Sequence, residues 1–508
     1  MDDKLKQKLA KNLVANNLGE AASFFLGLIT IPIILKFLQS SHYGIFILLA
    51  SVINYLSLMD LGVGAAVVRF IAHYQAKNNL KTLGKVLSSS WTFFLGVSLI
   101  SACLLFFLTD FLILHIFQIA PELRQEAVKI FQLGSLLIFV RIIANFFNIV
   151  AHGYQRFDLY NIGKLVGLLG TTVGAVIGLA IKPSLITLVW IYIGSTIAEG
   201  SITLILLTLK EGKLPLQLYF SFDFFRPVIK FGGWKFLMAL SSQAVNQFDK
   251  IIISLYLPTQ FVTYYAVPQS LTRRLTSTLS VITEPLFPFA SYLTSSRPLL
   301  VLQKLYQKAI RFANVLVMPI ALFITIFARQ ILQIWLGDVF AEKAAFVLAW
   351  LSLGYLIISL TAVPVKVAEA KNKPQVTALF SLISAIVRLG LAFYMTAKYG
   401  LNGLAASLLL YALPLVVSFL WFVSQRILLF KTKEILLLVW KNYFLIFIIS
   451  FLILLPLKYF YPSPQNIFSL ILVFVIYELV TFSIFLGIGV LKKEELLGFK
   501  NHFFQKNL

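Results

Sequence analysis

The sequence predicts an all-α integral membrane protein of about fourteen spanning helices, grouped as two six-helix halves followed by a C-terminal helix pair. Three observations carry this expectation. Apolar residues make up 59% of the chain and charged residues 12%, whereas charged residues alone are about a quarter of a soluble domain. The apolar residues gather into runs long enough to cross a bilayer, which takes about 20 residues in a helix. The Lys and Arg residues between those runs alternate from loop to loop between many and few.

Fourteen runs meet the length: 13–38, 43–71, 87–113, 127–151, 159–181, 184–209, 228–256, 261–294, 309–335, 344–366, 375–397, 402–425, 435–457 and 466–491. The basic segment "MDDKLKQKLAKN" precedes the first run, which is too long for a signal-peptide core and shows no small-residue cleavage site, so it reads as a retained span. An even number of spans puts both termini on one side. That side holds 27 of the 43 Lys and Arg residues, among them Lys77, Lys81, Lys85, Lys304, Lys308 and Lys371. The other holds 6: Arg124, Lys129, Lys182, Lys343, Lys398 and Lys458. Both termini are therefore expected in the cytoplasm.

The outer loops "QSSH", "IKPS", "YLPTQ" and "KYGLNG" leave no room for a folded external domain. The hairpin "LVGLLGTTVGAVIGLAIKPSLITLVWIYIGS" matches "LFSLISAIVRLGLAFYMTAKYGLNGLAASLLLYAL" in pattern about six spans later, and repeated halves around a midplane site are a common transporter plan. The expected organisation is a first bundle over 1–212, a cytoplasmic linker over 213–227, a second bundle over 228–430, and two extra spans with a tail over 431–508.

The formal charge of +23 is spread through short loops and not clustered on one soluble face, which argues against nucleic acid as a partner. The single cysteine, Cys103, excludes an intrachain disulfide and a thiolate metal cluster. No metal-ligand cluster, phosphate loop or nucleophile elbow is present, so the chain is expected to have no catalytic residues, metal or cofactor and not to be an enzyme.

Charges at membrane depth are costly and mark a site or an ion path by default. Arg141, Asn145, Asn148 and His152 stand at i, i+4, i+7 and i+11 in span four, one face of a helix. Thr377, Ser381, Ser384 and Arg388 repeat the spacing in span eleven, and Lys235, Ser242, Asn246 and Asp249 form a stripe in span seven. Arg273 and Arg274 lie well inside span eight. Four guanidinium groups at such depth need water or anions, and the fixed fork of arginine suits phosphate. The expected binding set is Arg141, Asn145, Lys235, Asn246, Arg273, Arg274 and Arg388. Asp249 is expected either to face a cavity and bind a proton or cation, with Glu20, Asp60 and Glu284 as candidates for the same role, or to form a permanent bridge to a base such as Arg273 or Arg274. The adjacent Lys250, rotated by about 100°, is expected at a helix seam.

The segments "SHYGIFILLASVINYLSLMDLGVGAAVVRFIA", "AHGYQRFDLYNIGK", "QFDKIIISLYL" with "YYAVPQSL" downstream, and "KYGLNGLAAS" resemble, in order and spacing, the bacterial polysaccharide biosynthesis proteins that act as O-antigen or capsule repeat-unit flippases. The resemblance runs through spans one to twelve. It implies the fold of the multidrug and oligosaccharidyl-lipid exporters (MATE-like), with two six-helix bundles about a central cavity, and a place in the bacterial inner membrane. It further implies an undecaprenyl-pyrophosphate-linked oligosaccharide as cargo, membrane lipid as surroundings, coupling to protons or sodium, and glycosyltransferases or a polysaccharide polymerase as partners. The lipid II flippases resemble the chain in span number but carry arginines in span one where this sequence has Glu20. The multidrug and cation antiporters of the same fold are disfavoured by fourteen spans and by the excess of buried bases over acids.

Overall fold

The computed structural model describes residues 3–60, 62–212, 214–222, 240, 243, 247–283, 286–287, 290–291, 294, 298–461 and 466–491, with side chains from residue 26 onward except at 278 and 280–282. Every regular element among them is a helix. Ten stretches are long and apolar enough to cross a membrane, among them Leu26–Asp60, Leu80–Ile116, Pro121–Gly153 and Pro374–Ile427. They hold twelve of the fourteen expected runs, because two merged stretches each contain two. Span seven lies largely outside the described residues. Span eight is the helix Gln260–Thr283, less apolar than the ten stretches.

The chain divides into two compact units, Met1–Thr263 and Tyr264–Leu508. In the first, α1 (Asp3–Leu56) turns back on itself at Gln39 (φ 58, ψ 166), so the loop expected between spans one and two shrinks to a kink. Span two does not continue unbroken to residue 71. A tight turn at Ser57–Asp60 and Gly62 in the left-handed region (φ 73) separate it from α2 (Val63–Ala76). The Asp60 carboxylate accepts the Gly62 N–H at 3.0 Å, which supplies the partner that a broken helix end otherwise lacks at this depth.

Next come α3 (Leu80–Phe111), α4 (Pro121–Gly153), α5 (Phe157–Ile181) and α6 (Leu185–Glu211). Trp91 and Phe94 of α3 meet Phe146 of α4 at ring separations of 5.3 and 5.5 Å. On α5, Gly163, Gly167, Gly170, Gly174 and Gly178 all lie against α6, where a β-carbon would strike Thr203, Glu199, Ser195 or Ile191. In lipid, where apolar burial drives no association, such close backbone approach is what holds two helices together. At the start of α5 Arg156 bonds Asp158 at 2.8 Å, and it reaches Glu211 at the end of α6 at 2.7 Å.

Two further segments close on this unit. Residues 214–219 of the expected linker lie extended along α3: Ser88 donates to the Pro215 carbonyl at 2.5 Å, and Thr92 both donates to the Tyr219 carbonyl at 3.1 Å and accepts its N–H at 3.0 Å. Leu218 and Phe222 point outward, 81% and 68% exposed, as suits a strap lying at a membrane interface. Residues 247–263 belong to the second bundle by chain order, yet they pack with unit 1. The Gln118 N–H bonds the Ser254 carbonyl at 2.7 Å, Thr263 donates to the Ser40 carbonyl at 2.6 Å, and a β-carbon on Gly44 would collide with the Thr259 carbonyl.

Unit 2 takes in most of α7 (Gln260–Thr283), then α8 (Leu299–Ile326), α9 (Ala328–Leu336), α10 (Asp338–Ser359), α11 (Ala362–Ala370), α12 (Pro374–Phe422), α13 (Thr432–Val439), α14 (Leu445–Phe460) and α15 (Ile467–Gly487). Gly400 (φ 61, ψ −144) folds α12 into two spans, at a conformation that glycine alone adopts without strain. The C-terminal pair packs on α8 through Phe323, Phe327, Leu454, Val473 and Tyr477. Outward rows such as Leu99, Phe106 and Phe107 on α3 remain exposed, a surface suited to lipid and not to water.

Candidate functional site

In unit 1 the polar stripe of α4 divides. Arg141 and Asn145 are exposed, although protein atoms crowd around Arg141, whereas Asn148 is buried. Asn148 donates to Glu199 Oε1 at 2.9 Å and accepts from Thr203 at 3.4 Å, while Thr203 donates to the Glu199 carbonyl at 2.9 Å. The other carboxylate oxygen of Glu199 lies over Gly167, where an added β-carbon would come within 2.7 Å of it. Glu199 also acts electrostatically on Arg141.

Sequence reasoning missed Glu199, although its signal was present. Tyr192, Thr196, Glu199 and Thr203 stand at i, i+4, i+7 and i+11 on α6, the same spacing that singled out α4. His152, at the end of the α4 stripe, sits edge-on to Tyr160 at 4.4 Å as part of an aromatic cluster.

Asp249 does not face open space in this structure: it is 1% accessible and Lys250 is 6% accessible. Lys250 Nζ donates to Gln247 Oε1 at 2.6 Å, one turn back on its own helix. Asp249 acts electrostatically on Tyr55, whose hydroxyl donates to the Gln243 carbonyl at 3.0 Å. Tyr55 also lines an apolar cleft of about 210 Å³ with Val52, Leu105, Leu108, Leu112 and Ile251. Asp60 is occupied at the break in span two. The side chains of Glu20, Lys235, Asn246 and Glu284 lie outside the described residues.

In unit 2 the expected bases differ in setting. Arg273 is exposed and Arg274 half-buried. Arg388 is fully buried and donates to Ser407 Oγ and, at 3.2 Å, to the Tyr265 hydroxyl, with its guanidinium 5.6 Å from the Tyr411 ring centre. It ties both arms of α12 to α7. Gln269 of α7 also reaches the Tyr355 hydroxyl of α10 at 3.3 Å. Among the described residues no group of three His, Cys, Asp or Glu side chains is placed to hold a metal ion. The arrangement offers an accessible guanidinium and amide on a membrane-spanning helix, backed by a carboxylate, with an apolar cleft elsewhere in the same unit.

Residues 33–345 match the profile of a family described as "Polysaccharide biosynthesis protein". A candidate O-antigen transporter of Shigella flexneri is 22% identical over 400 residues, covering 78% of this chain and 94% of that protein. Among solved structures, the lipid II flippase MurJ in an inward closed conformation aligns with a TM-score of 0.72 at 15% identity, over 92% of this chain and 98% of that one. An inward-facing multidrug resistance MATE family transporter of the MOP superfamily aligns at 0.67 and 14% identity, over 84% and 95%. At such identities these likenesses establish the fold: the two-bundle architecture of that superfamily, with an additional helix pair at the C-terminus.

Proposed function

From the premise that the chain belongs to the polysaccharide biosynthesis protein family, we propose that it is a flippase carrying an undecaprenyl-pyrophosphate-linked oligosaccharide repeat unit from the cytoplasmic to the outer leaflet of the bacterial inner membrane by alternating access. The observation that carries the reading is the accessible pair Arg141 and Asn145, one turn apart on a membrane-spanning helix. An arginine at that depth costs several kcal/mol unless water or an anion meets it, and its planar fork matches a phosphate group in two-point fashion. The amide beside it suits sugar hydroxyls. The polyprenyl tail needs no polar site and stays in lipid.

In this reading Lys235, Asn246, Arg273 and Arg274 extend the cationic path, and Arg388 reaches the headgroup only after its contacts with Ser407 and Tyr265 part. Asp249, Glu20, Asp60 and Glu284 are the coupling carboxylates, the ion being a proton or sodium. The first bundle ends at 212, the second spans 228–430, and both termini are cytoplasmic. Glycosyltransferases supply the cargo and a polymerase consumes it. Lipid II, whose carrier and pyrophosphate are the same, is the second reading, supported by the shared fold.

Expression in a bacterium deleted for its own repeat-unit flippase tests the proposal. Surface polysaccharide should return with the wild-type chain, return in part with Arg141→Lys, and fail with Arg141→Ala at equal membrane abundance. Rescue of lipid II flippase depletion instead would select the second reading. Full rescue by Arg141→Ala would remove the cationic site from the mechanism.

A further inference from the structure

We propose that Glu478 of α15, together with the hydroxyls of Ser450, Tyr477 and Thr481, forms a monovalent-cation site in the C-terminal helix pair, taking a proton or a sodium ion. The site is built from residues other than the coupling carboxylates named above. The inference goes beyond the flippase reading and holds whatever the cargo.

The geometry begins with the seating of α15 on its neighbours. Phe474 and Tyr477 both meet the Phe323 ring of α8, at 5.0 and 5.9 Å between ring centres, and the Tyr477 hydroxyl donates to the Ser450 carbonyl of α14 at 3.3 Å. Glu478 follows Phe474 by one turn and Thr481 follows Tyr477 by one turn, so both extend the packed side of the helix. Ser450 and Thr481 are enclosed, at 0% and 1% accessible, and neither hydroxyl has a hydrogen-bond partner. Other buried hydroxyls in the chain return their proton to the carbonyl one turn back, as Thr109 and Thr396 do at 2.7 and 2.6 Å. Glu478 is half-buried, its Oε1 is covered and equally without a partner, and no base pairs with it among the described residues. Three orphaned oxygens thus stand within one turn of the Tyr477–Ser450 contact. The charges on the surrounding elements lie further off. On α14, Lys458 comes two turns after Ser450, about 12 Å along the helix, with its ammonium 4.6 Å from the Phe327 ring centre, and Tyr459 is exposed. Before α14, Tyr443 is enclosed and Lys441 exposed. On α8 the first charge before Phe323 is Arg311, about 18 Å along the helix, committed to Asn442 at 3.0 Å and to the Val490 carbonyl at 3.4 Å. Arg329 of α9 is exposed. The charges of α10, at Asp338, Glu342 and Lys343, come well before Leu353, the residue it brings to this cluster.

A carboxylate at this depth, with an enclosed oxygen that no donor meets, is costly as a bare anion. One positive charge cancels it. Hard cations take oxygen ligands, and a single carboxylate among neutral hydroxyls balances a monovalent ion, whereas a divalent one would leave net charge in the lipid. A proton meets the same need, because the neutral carboxyl then has an O–H to donate and the hydroxyl oxygens of Ser450 and Thr481 are free to accept it. The two cations neutralise the same group, so each excludes the other. The oxygens come from both helices of the pair, and an occupied site therefore ties α15 to α14.

The test uses the full-length protein in lipid nanodiscs with two probes: radioactive sodium, and a hydrophobic carbodiimide, which reaches protonated carboxyls from the lipid phase. If sodium fills the site, Glu478→Gln should bind one ion fewer per chain, Thr481→Val should bind it at least about tenfold more weakly, and sodium should protect Glu478 of the wild-type chain from the carbodiimide. If the proton alone fills it, sodium binding should be equal in wild type and Glu478→Gln. The carbodiimide should then modify Glu478, located by peptide mass mapping, several times faster at about pH 5 than at about pH 8. In that case Ser450→Ala and Thr481→Val, which leave the carboxyl in place, should shift the pH profile of labelling. Protection and labelling are read on the wild-type chain, so they decide the matter even where Glu478→Gln folds poorly. A Glu478 that labels at one rate across that pH range with and without sodium, or that never labels while sodium binding is unchanged by Glu478→Gln, overturns the proposal. So does a Thr481→Val protein that matches wild type in both measurements.

Discussion

Replacing Arg388 by alanine, methionine and lysine separates two uses of a buried guanidinium. The side chain is wholly enclosed, with hydrogen bonds to Ser407 and Tyr265 and a ring contact with Tyr411. Polar contacts between membrane helices average about 0.6 kcal/mol and reach about 1.7 kcal/mol. Two such bonds from a charged donor belong at the upper end, and the cation over an aromatic face adds about 0.5–2 kcal/mol. Relief of the desolvation penalty offsets part of this. Arg388→Ala should therefore cost about 2–4 kcal/mol, a fall of about 2–4 °C in melting temperature for a chain of 508 residues. Methionine removes the ion and fills the space, so it should cost less than about 1.5 kcal/mol. Lysine keeps the buried charge but cannot hold Ser407 and Tyr265 in the same fork, so it should be at least as damaging as alanine. The assay is tryptophan-fluorescence melting of the purified protein in detergent. A melting curve for Arg388→Ala indistinguishable from wild type would refute the structural role and return Arg388 to the substrate path.

Three further outcomes are expected. A valine at position 44 should push the Thr259–Thr263 segment away from Ser40, and a cysteine placed at Gln118 should then react faster with a water-soluble maleimide; unchanged reactivity would show that the contact is not a seal. The charge asymmetry predicts that Lys81 and Lys304 lie inside, so cysteines there, in a Cys103→Ser background, should resist labelling in intact cells and react after permeabilisation; labelling of either in intact cells would overturn the orientation. Arg156 bridges Asp158 and Glu211, so Arg156→Ala, which removes both pairs, should lower stability by about 0.5–2 kcal/mol; an unaltered melting curve would count against the bridge.

The spanning helices were legible because length and hydropathy are direct consequences of bilayer thickness. What hydropathy cannot register is backbone direction. The reversal at Gln39 and the break at 57–62 lie within stretches that read as apolar or as short loops, although "DLGVG" supplied the residues a break needs. Span eight shows that a run can carry Arg273, Arg274 and many serines and threonines and still be read from its length: the expected run 261–294 is helical over Gln260–Thr283. The stripe spacing located Arg141 and Asn145, yet the same rule left Glu199 unread on the neighbouring helix, because a carboxylate gains meaning only once its partner helix is known. Periodicity could state which residues share a face but not whether that face opens outward, and Asp249 and Arg388 both proved enclosed.

The extended strap over residues 214–219 bears on how the chain is assembled. Among the described residues, the side chains that hydrogen-bond it lie on α3, at Ser88 and Thr92, so they enter the membrane more than a hundred residues before the strap is made. The first half can therefore close over its own exit segment while nothing beyond it has yet been synthesised. The polar backbone joining the halves is then not left unsatisfied in the interface while the next spans are inserted. Order of synthesis and order of packing coincide at this point, and a substitution such as Ser88→Val would be felt first during biogenesis, as reduced yield of the inserted chain, before it altered the finished protein.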